Sequence, residues 1–511
     1  MPNSTVYHPD HGRGEIVTYR RGGRVAIVDF ASRPMPTHVQ VRELDVDDDG
    51  SAADARRQAV DDLLAGETRF EGSRATDESS RVLEAMRLGV VPDEGVDVYT
   101  VGRDVEVSQA EADLGRTKRE GGAVRAFLGD YGTGKTHLLQ LARKRALDQG
   151  FLTARVVLDP RETPPSHPKR VFRELTKTLA YPDRPNAVDP GLAPLMEQAL
   201  EDPAVLEAFD VGESGSQKQR LDRGMHLYLT PALAYLRAFD ADEPDDVVGD
   251  LPDELGPARD YVERSRGLIY EWLEGHQTIS NTDLDARLKH VRGSFPKLYS
   301  LMDFRPWARI YGYLLSGLAT LARAVGYSGL TVLVDEAERY ALLSSENRDF
   351  ATYVFKALSF AAVGSSHVPF TRQQLEDLGG WGILKDLPPR YDPNPGLYTV
   401  FAMTPHEEGL DTLRRAIRPG DISELRSFDH RDYAELAAKV CDFYASAHPD
   451  WEMTESMVTR STSLLEDCRD RGWIGNPRQA MKFLVDFLDI VRHDPDAVET
   501  IVQDIEQYSA F

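Results

Sequence analysis

The stretch that decides the fold runs from residue 124 to residue 136. It reads Val-Arg-Ala-Phe-Leu-Gly-Asp-Tyr-Gly-Thr-Gly-Lys-Thr. The first five residues form an apolar run typical of a buried strand, and the next eight fit the pattern G-x-x-x-x-G-K-[ST]. A helical pattern then continues from His137 to Gln149. Glycines let the backbone N–H groups of such a loop surround an anion, and the helix start adds partial positive charge. The order of strand, loop and helix therefore predicts a phosphate-binding loop in an α/β fold.

Two side chains at the end of this loop carry the expected chemistry. Lys135 is expected to reach the β and γ phosphates of a nucleotide, and the Thr136 hydroxyl is expected to ligate Mg²⁺. ATP and Mg²⁺ are therefore the predicted cofactors. The loop residues expected to contact the nucleotide are Gly129, Asp130, Tyr131, Gly132, Thr133, Gly134, Lys135 and Thr136.

A second motif follows about 200 residues later, where residues 330–339 read Leu-Thr-Val-Leu-Val-Asp-Glu-Ala-Glu-Arg. The apolar run predicts a buried parallel strand, and a ligand crevice is expected at its carboxyl end. We expect Asp335 to hold Mg²⁺ through water and Glu336 to polarise the water that attacks the nucleotide. Glu338 is the less expected base, because one more residue carries it past the end of the strand.

The remaining elements are predicted from their periodicity. Residues 151–158, 397–403 and 422–425 are expected to be strands, and Thr404 follows the second of these, where it can sense a γ-phosphate. Residues 98–103 have a strand-like pattern, and the stretch before them, 77–88, has helical spacing. Long helical and acidic sequence between about residues 183 and 300 predicts an insert, and three amphipathic helices are expected after residue 429.

The charge balance excludes one class of protein. The 511 residues include 60 Lys and Arg against 84 Asp and Glu, for a formal net charge of −24. A surface this acidic does not suit a protein that coats duplex DNA, because such binding depends on neutralising phosphates. Only two cysteines are present, Cys441 and Cys468, which leaves no disulfide framework. With no basic leader and no apolar stretch of 18 residues, we expect a soluble cytoplasmic protein without membrane contact.

The first 45 residues differ in character from the rest of the chain. Two alternating runs, 15–19 and 24–30, flank a Gly-Gly turn and predict a β-hairpin. The opening segment, 6–16, resembles the small Tudor-like or SH3-like barrels appended to bacterial helicases and RNA-polymerase-binding factors. The hairpin is basic, whereas the chain as a whole is acidic. We expect it to contact DNA or a partner, or else to be an ordinary solvated hairpin without a partner. Its arginines are Arg13, Arg20, Arg21 and Arg24.

The phosphate loop, the Asp-Glu strand, the polar strand end and the trailing helices together resemble an AAA+ ATPase of the initiator-like or STAND-related branch. The resemblance implies that Arg478, at the start of the third trailing helix, contacts the γ-phosphate, and that Thr404 takes the sensor position at the strand end. It also implies an arginine finger supplied by a neighbouring subunit. The candidates for that role are Arg414, Arg415 and Arg418 between the fourth and fifth strands, and Arg390.

A closer resemblance is to the ATP-binding protein of BREX-type phage-defence systems. The segments that carry it are 88–92, 99–103, 129–137, 334–338, 402–405 and 476–478. This resemblance adds Gly102, Arg103 and His137 to the residues expected near the nucleotide. The basic N-terminal segment is a departure from that family.

The expected fold class is α/β: a parallel AAA+ sheet with a helical insert and a C-terminal helical lid, preceded by a small all-β barrel. The expected domains are a barrel at 1–45, a linker at 46–80, an ATPase core at 81–428 with its insert at about 183–300, and a lid at 429–511. The function predicted first is an ATP-hydrolysing switch or assembly factor in DNA-targeting defence, working as a homo-oligomer or with a helicase or nuclease. Two alternatives stay open: an ATP-controlled DNA-binding initiator or loader, and a signalling scaffold that binds ATP and hydrolyses it slowly.

Overall fold

A computed structural model of the chain falls into two compact units, Met1–Ser73 and Arg74–Phe511, which are described separately. In the first unit the structure describes residues 5–8, 12–20, 25–30, 37–40 and 45–46. In the second it describes residues 74–494 except 93–94, 186, 189, 241–242, 277, 377–381 and 386.

The described residues of the first unit form a five-stranded antiparallel sheet in the order β4-β3-β2-β1-β5. The strands are β1 (Thr5–His8), β2 (Gly12–Arg20), β3 (Val25–Phe30), β4 (Thr37–Gln40) and β5 (Asp45–Val46). The predicted hairpin is therefore present as the β2–β3 pair, with a register shift between Ile16 and Thr18. The Tudor-like or SH3-like assignment of this unit stays a prediction.

The second unit alternates strands and helices. Its strands are β6 (Gly122–Leu128), β7 (Leu152–Val157), β8 (Leu330–Asp335), β9 (Leu397–Met403) and β10 (Ile422–Glu424). Its first helices are α1 (Arg74–Leu88), α2 (Asp104–Glu120), α3 (Lys135–Asp148) and α4 (Pro168–Lys177). The insert contains α5 (Ala193–Glu201), α6 (Pro203–Ala208), α7 (Gln217–Arg223), α8 (Leu229–Phe239), α9 (Pro244–Val247), α10 (Ala258–Leu273) and α11 (Asn281–Leu288). The later helices are α12 (Ala308–Ala324), α13 (Ser345–Val363), α14 (Gln373–Glu376), α15 (Glu407–Ala416), α16 (His430–Ala447), α17 (Glu455–Asp470) and α18 (Pro477–His493). Short 3-10 helices lie at Asp253–Leu255, Arg305–Trp307, Ala337–Leu342, Ser365–His367, Gly382–Lys385 and Pro419–Asp421.

All five strands of the second unit are parallel, in the order β10-β6-β9-β8-β7. Strand β9 therefore lies between β6, which leads into the phosphate loop, and β8, which ends at Asp335. The sequence-based expectation that Thr404 follows a strand between the two nucleotide motifs is confirmed. The same order brings the carboxyl ends of β6, β8 and β9 to one edge, where ligand sites of open parallel sheets lie.

The sheet is covered on both faces, as a parallel sheet requires. On one face, Phe127 and Tyr398 pack with Leu114 of α2 and Leu138 of α3. On the other face, buried residues of β6, β7 and β8 join a large cluster with α4, α12, α13 and the insert helices. Because β6, β8 and β9 are buried on both sides, their apolar runs in the sequence are continuous rather than alternating.

The lid is built from α16, α17 and α18, and its core includes residues from far upstream. Met86 of α1 and Tyr99 are buried in the same cluster as Leu436 and Leu484 of the lid. The sequence-based boundaries divided α1 between the linker and the ATPase core at residue 80, whereas its buried residues Val82, Leu83 and Met86 belong to the lid cluster. Because α1 and the α1–α2 connection pack with α16 and α18, the chain passes through the lid before it enters the sheet.

One predicted element is absent from this connection. The prediction of a strand at 98–103 was wrong, because these residues form turns and irregular backbone. Gly95 and Gly102 have positive φ angles of 65° and 61°, which turn the chain on either side of the apolar residues. Tyr99 and Val101 are buried against the lid helices, whereas Val98 is 58% exposed, so the pattern reflects packing rather than strand pairing. Among the described residues, no helix combines the length and apolar character that a bilayer crossing requires.

Candidate nucleotide-binding site

A cleft opens between the phosphate loop and the lid. Its volume is about 1030 Å³, counting the open solvent in its mouth. Loop residues 131–137 line one side, and Glu336 lies at the deep end. The α1–α2 connection and the first residues of α18 complete the wall. The cleft therefore collects parts of the chain that are more than 300 residues apart.

The phosphate loop takes its shape from two glycines and a lysine. Gly132 and Gly134 have φ angles of 81° and 96°, in the left-handed region that other residues avoid. Lys135 begins α3 and is only 8% exposed, and its Nζ donates to the carbonyl oxygens of Gly129 at 2.8 Å and Asp130 at 3.1 Å. Desolvation lowers the pKa of Lys135, and nearby carboxylates oppose that shift. The lysine is thus desolvated and held against its own loop.

The end of β8 carries the two acids of the second motif, and each already has a cationic neighbour. Asp335 is buried, and its Oδ2 accepts from Arg155 Nη2 on the neighbouring strand β7 at 2.9 Å. Glu336 has a left-handed φ of 58° and pairs with Arg339 at 3.0 Å. A positive φ is strained for a residue with a side chain, so the turn at Glu336 is held by its surroundings. Sequence reasoning did not find Arg155, because a single arginine in a strand carries no signal.

Thr404 follows β9, as predicted, and its hydroxyl contacts Glu338, the residue that the sequence made the less expected base. Its Oγ1 donates to Glu338 Oε1. Glu338 lies past the end of β8, as predicted, and the 3-10 helix after Glu336 places it against the end of β9. The strand ends therefore bring three carboxylates, those of Asp335, Glu336 and Glu338, close enough to influence the pKa of Lys135.

The lid reaches the phosphate loop through the start of α18. Asn476 caps this helix by accepting from Gln479 N at 3.0 Å. A Cβ at Gly132 would lie within 2.6 Å of the Asn476 side chain, so only glycine allows this approach. Arg478 Nη1 donates to Tyr131 Oη at 2.7 Å, and its guanidinium lies 5.5 Å from the centre of the tyrosine ring. The predicted sensor arginine is therefore at the site and bonded to the phosphate loop itself.

Arg103 connects the loop to the base of the lid. It is 2% exposed, and it donates through Nη2 to Thr133 O and through Nη1 to Arg426 O, both at 2.7 Å. Glu106 lies 3.7 Å away and is its nearest carboxylate. Gly102, also predicted near the nucleotide, faces the lid instead: a Cβ there would meet Asp432 Oδ1 at 2.5 Å. Arg103 thus supports the loop backbone.

His137 joins the loop helix to the α1–α2 connection. Thr100 Oγ1 donates to Val96 O at 2.6 Å and lies 2.7 Å from His137 Nε2. Because a threonine hydroxyl has one proton, the imidazole Nε2–H must be the donor to Thr100. Desolvation, aided by Arg103 and Lys439, lowers the pKa of His137 to about 4, so the ring is neutral at neutral pH.

Part of the lining of the cleft is apolar. Val90, Val91 and Val101 come from the α1–α2 connection, and Leu436 and Met481 come from the lid. The upstream residues fall within or beside segments quoted for the resemblance, but the lid residues could not be found from sequence. They look like ordinary core positions of amphipathic helices, and only the fold turns them toward the cleft.

The candidate arginine fingers are not among the residues that line the cleft. Arg414, Arg415 and Arg418 are exposed on or just after α15; Arg415 pairs with Asp411 at 2.9 Å, and Arg418 donates to Ser366 O. Arg390 is half-buried and donates to Ala362 O at 3.0 Å, which occupies it near the end of α13. Arg13 and Arg20 belong to β2, and Arg21 and Arg24 lie outside the described residues.

The cleft fits a nucleotide from end to end. The apolar part of its lining suits a purine ring. The phosphate loop, with Lys135 and Arg478, offers backbone N–H groups and positive charge to phosphates. Thr136 and Asp335 supply the hard oxygen ligands that Mg²⁺ prefers. No cluster of three or more His, Cys, Asp or Glu suited to a metal occurs in the part of the chain that the structure describes.

Comparison with known proteins agrees with this geometry. The family model described as "BREX system ATP-binding protein BrxC/D" matches residues 75–239, which include α1, the phosphate loop, β7 and the first half of the insert. No curated protein matches the chain. Over residues 75–239, the chain is thus similar to the ATP-binding proteins of BREX phage-defence systems, which supports ATP as its ligand.

Proposed function

We propose that this chain is an AAA+ ATPase that works as a nucleotide-driven switch or assembly factor in BREX-type phage defence. The observation that carries the proposal is the meeting of the phosphate loop, the Asp335-Glu336 strand end and Arg478 of the lid around one cleft. The strand order, with β9 between the two nucleotide motifs and a helical lid over the loop, supports the AAA+ assignment. The match to the BREX family supports the defence role.

Each residue at the cleft has a task in this proposal. The loop N–H groups and Lys135 offset the phosphate charge, while Thr136 and Asp335 hold Mg²⁺. The bound metal would further neutralise charge that develops on the phosphates. Glu336 orients water for attack, and Thr404 and Arg478 report the γ-phosphate to the sheet and to the lid. Phosphoryl transfer depends on positioning and electrostatics, so each of these contributions acts by placing charge.

The contacts at the cleft favour slow hydrolysis by the isolated chain. Lys135 is bonded to Gly129 and Asp130, Asp335 is paired with Arg155, and Arg478 is bonded to Tyr131. Each of these groups must give up a protein partner before it can serve nucleotide or metal. A signalling scaffold that binds ATP and turns it over slowly is therefore the second candidate function.

We propose that full ATPase activity requires an adjacent subunit or another protein partner. Arg414, Arg415 and Arg418 are exposed near the end of α15 and remain candidates for an arginine finger offered to an adjacent subunit. Homo-oligomers and a helicase or nuclease of the defence system are the partners proposed. DNA contact is proposed to come through the N-terminal unit or such a partner.

Two variants test the catalytic proposal. Lys135→Ala should abolish nucleotide binding, whereas Glu336→Gln should keep ATP binding and stop hydrolysis. Binding is measured by titration with a fluorescent ATP analogue, and turnover by phosphate release. Turnover at the wild-type rate in Glu336→Gln would refute the role of Glu336. A wild-type protein that binds no nucleotide would refute the proposed function as a whole.

A further inference from the structure

Glu338 has a contact that its place in the sequence does not predict. The backbone turns at Glu336, and the following 3-10 helix brings Glu338 beside the end of β9. There its Oε1 accepts the hydrogen bond from Thr404 Oγ1. Its Oε2 is buried and has no hydrogen-bond partner among the described residues. The carboxylate thus depends on Thr404 for its side-chain hydrogen bond.

This contact decides where the Thr404 proton points. A carboxylate can only accept hydrogen bonds, and a threonine hydroxyl has a single proton to donate. While Thr404 donates to Glu338, it turns lone pairs rather than a proton toward any other acceptor. A phosphate oxygen is also an acceptor, so Thr404 cannot serve Glu338 and a phosphate at the same time.

We propose that Glu338 is a positioning residue that sets the preference of the site for ATP over ADP by competing with the γ-phosphate for the Thr404 hydroxyl. The inference rests on the proposed function, because it assumes that the nucleotide lies in the cleft with its phosphates at Lys135. A nucleotide that lacks the γ-phosphate leaves the bond between Thr404 and Glu338 intact. A nucleotide that carries it must take the proton and leave the Glu338 carboxylate without a donor.

The position of Glu338 supports this competition. Of the carboxylates that oppose the lowered pKa of Lys135, Glu338 has the largest effect, ahead of Glu336 and Asp335. The Glu338 carboxylate therefore acts electrostatically on the cation expected to meet the outer phosphates. Glu336, in contrast, lines the cleft and pairs with Arg339. The two glutamates consequently have different partners and are separable by mutation.

A double-mutant cycle tests the inference. Glu338→Gln keeps the size of the side chain but weakens the acceptor, since a neutral hydrogen bond is about half as strong as a charge-assisted one. Dissociation constants are measured by calorimetry for ADP and for a slowly hydrolysed ATP analogue. We expect Glu338→Gln to raise the preference for the ATP analogue about tenfold in the wild-type background. In the Thr404→Val background, which has no hydroxyl, the same change should have a much smaller effect on the preference, because only the loss of the Glu338 charge then remains.

Three further variants are the controls. Thr404→Ser keeps the hydroxyl, so Glu338→Gln should regain its tenfold effect in that background. Glu338→Asp keeps the charge but shortens the side chain, and it should raise the preference as Glu338→Gln does. Glu336→Gln removes a charge from the same strand end without touching Thr404, so its effect should be the same with and without the Thr404 hydroxyl.

The outcomes separate this inference from the proposed function. Equal effects of Glu338→Gln with threonine and with valine at position 404 would overturn the inference, because charge alone would then explain them. An unchanged or lowered ATP preference in both Glu338→Gln and Glu338→Asp would overturn it as well. In either case nucleotide binding by the wild-type protein leaves the proposed function standing. Absence of binding by the wild-type protein would overturn both.

Discussion

Replacement of Arg103 is the strongest test of how the site is held together. Arg103→Met keeps most of the volume of the side chain but removes the charged donors to Thr133 O and Arg426 O. It also leaves Glu106, which is 5% exposed, without its buried counter-charge. Removal of one member of a buried pair costs about 3 to 5 kcal/mol of the free energy of unfolding. Arg103→Lys should cost less, because an ammonium keeps the charge but lacks the planar fork that reaches two carbonyls.

Urea unfolding and titration with a fluorescent ATP analogue measure the two consequences. We expect Arg103→Met to lose stability and to bind nucleotide at least about tenfold more weakly, since the Thr133 carbonyl loses its support. Arg184→Met is the matched control: that arginine is 41% exposed and 4.0 Å from Asp183, so the change should cost less than about 0.5 kcal/mol. If Arg103→Met unfolded and bound nucleotide as the control does, the reasoning about the loop support would be refuted.

Two further predictions concern the lid and the imidazole. Tyr131→Phe removes the hydroxyl that accepts a hydrogen bond from Arg478 but keeps the aromatic ring. Because Arg478 is then available to a phosphate, ATP affinity should rise about two- to fivefold in a fluorescence titration, as expected for the loss of an exposed hydrogen bond. Unchanged or weaker binding would contradict the idea that Tyr131 and the nucleotide compete for Arg478. Burial lowers the pKa of His137 from 6.5 to about 4, so the unfolded chain takes up the proton first as the pH falls. The contribution of this histidine is complete above pH 6.5 and is lost by about pH 4, at a cost of up to about 3 kcal/mol. Urea unfolding should therefore show a smaller loss of stability in His137→Gln than in the wild-type protein over that pH range; equal losses would contradict the assignment.

The central strands β6, β8 and β9 of the second unit were predictable because they are buried on both faces. Residues 330–335 are a continuous apolar run, and the structure forms β8 over the same residues. Strand β10 was harder to delimit: residues 422–424 are only partly buried at the edge of the sheet, next to β6. The segment 98–103 was mistaken for a strand because it contains valines and a tyrosine, although Tyr99 and Val101 pack on the lid instead.

The site was predictable to the level of its motifs but not of its partners. Lys135, Glu336 and Arg478 all line the cleft, as their motifs predicted. The hydrogen bond between Thr404 and Glu338 joins residues 66 positions apart, and that between Arg478 and Tyr131 joins residues 347 positions apart. No local pattern encodes such pairs, because a side chain's partner depends on which strand ends and loops the fold brings together.

The sequence by itself determined the phosphate loop, the Asp-Glu strand end and the alternation of strands and helices around them. These features depend on local chemistry: glycines that permit left-handed backbone, an apolar run that must be buried, and a lysine at a helix start. Only the tertiary structure decided that α1 packs with the lid and that Arg103 donates hydrogen bonds to the phosphate loop. It also decided that the Thr404 hydroxyl donates its hydrogen bond to Glu338 rather than to solvent. Those outcomes depend on the strand order and on the fold of the lid against the loop, which place distant residues within hydrogen-bond distance.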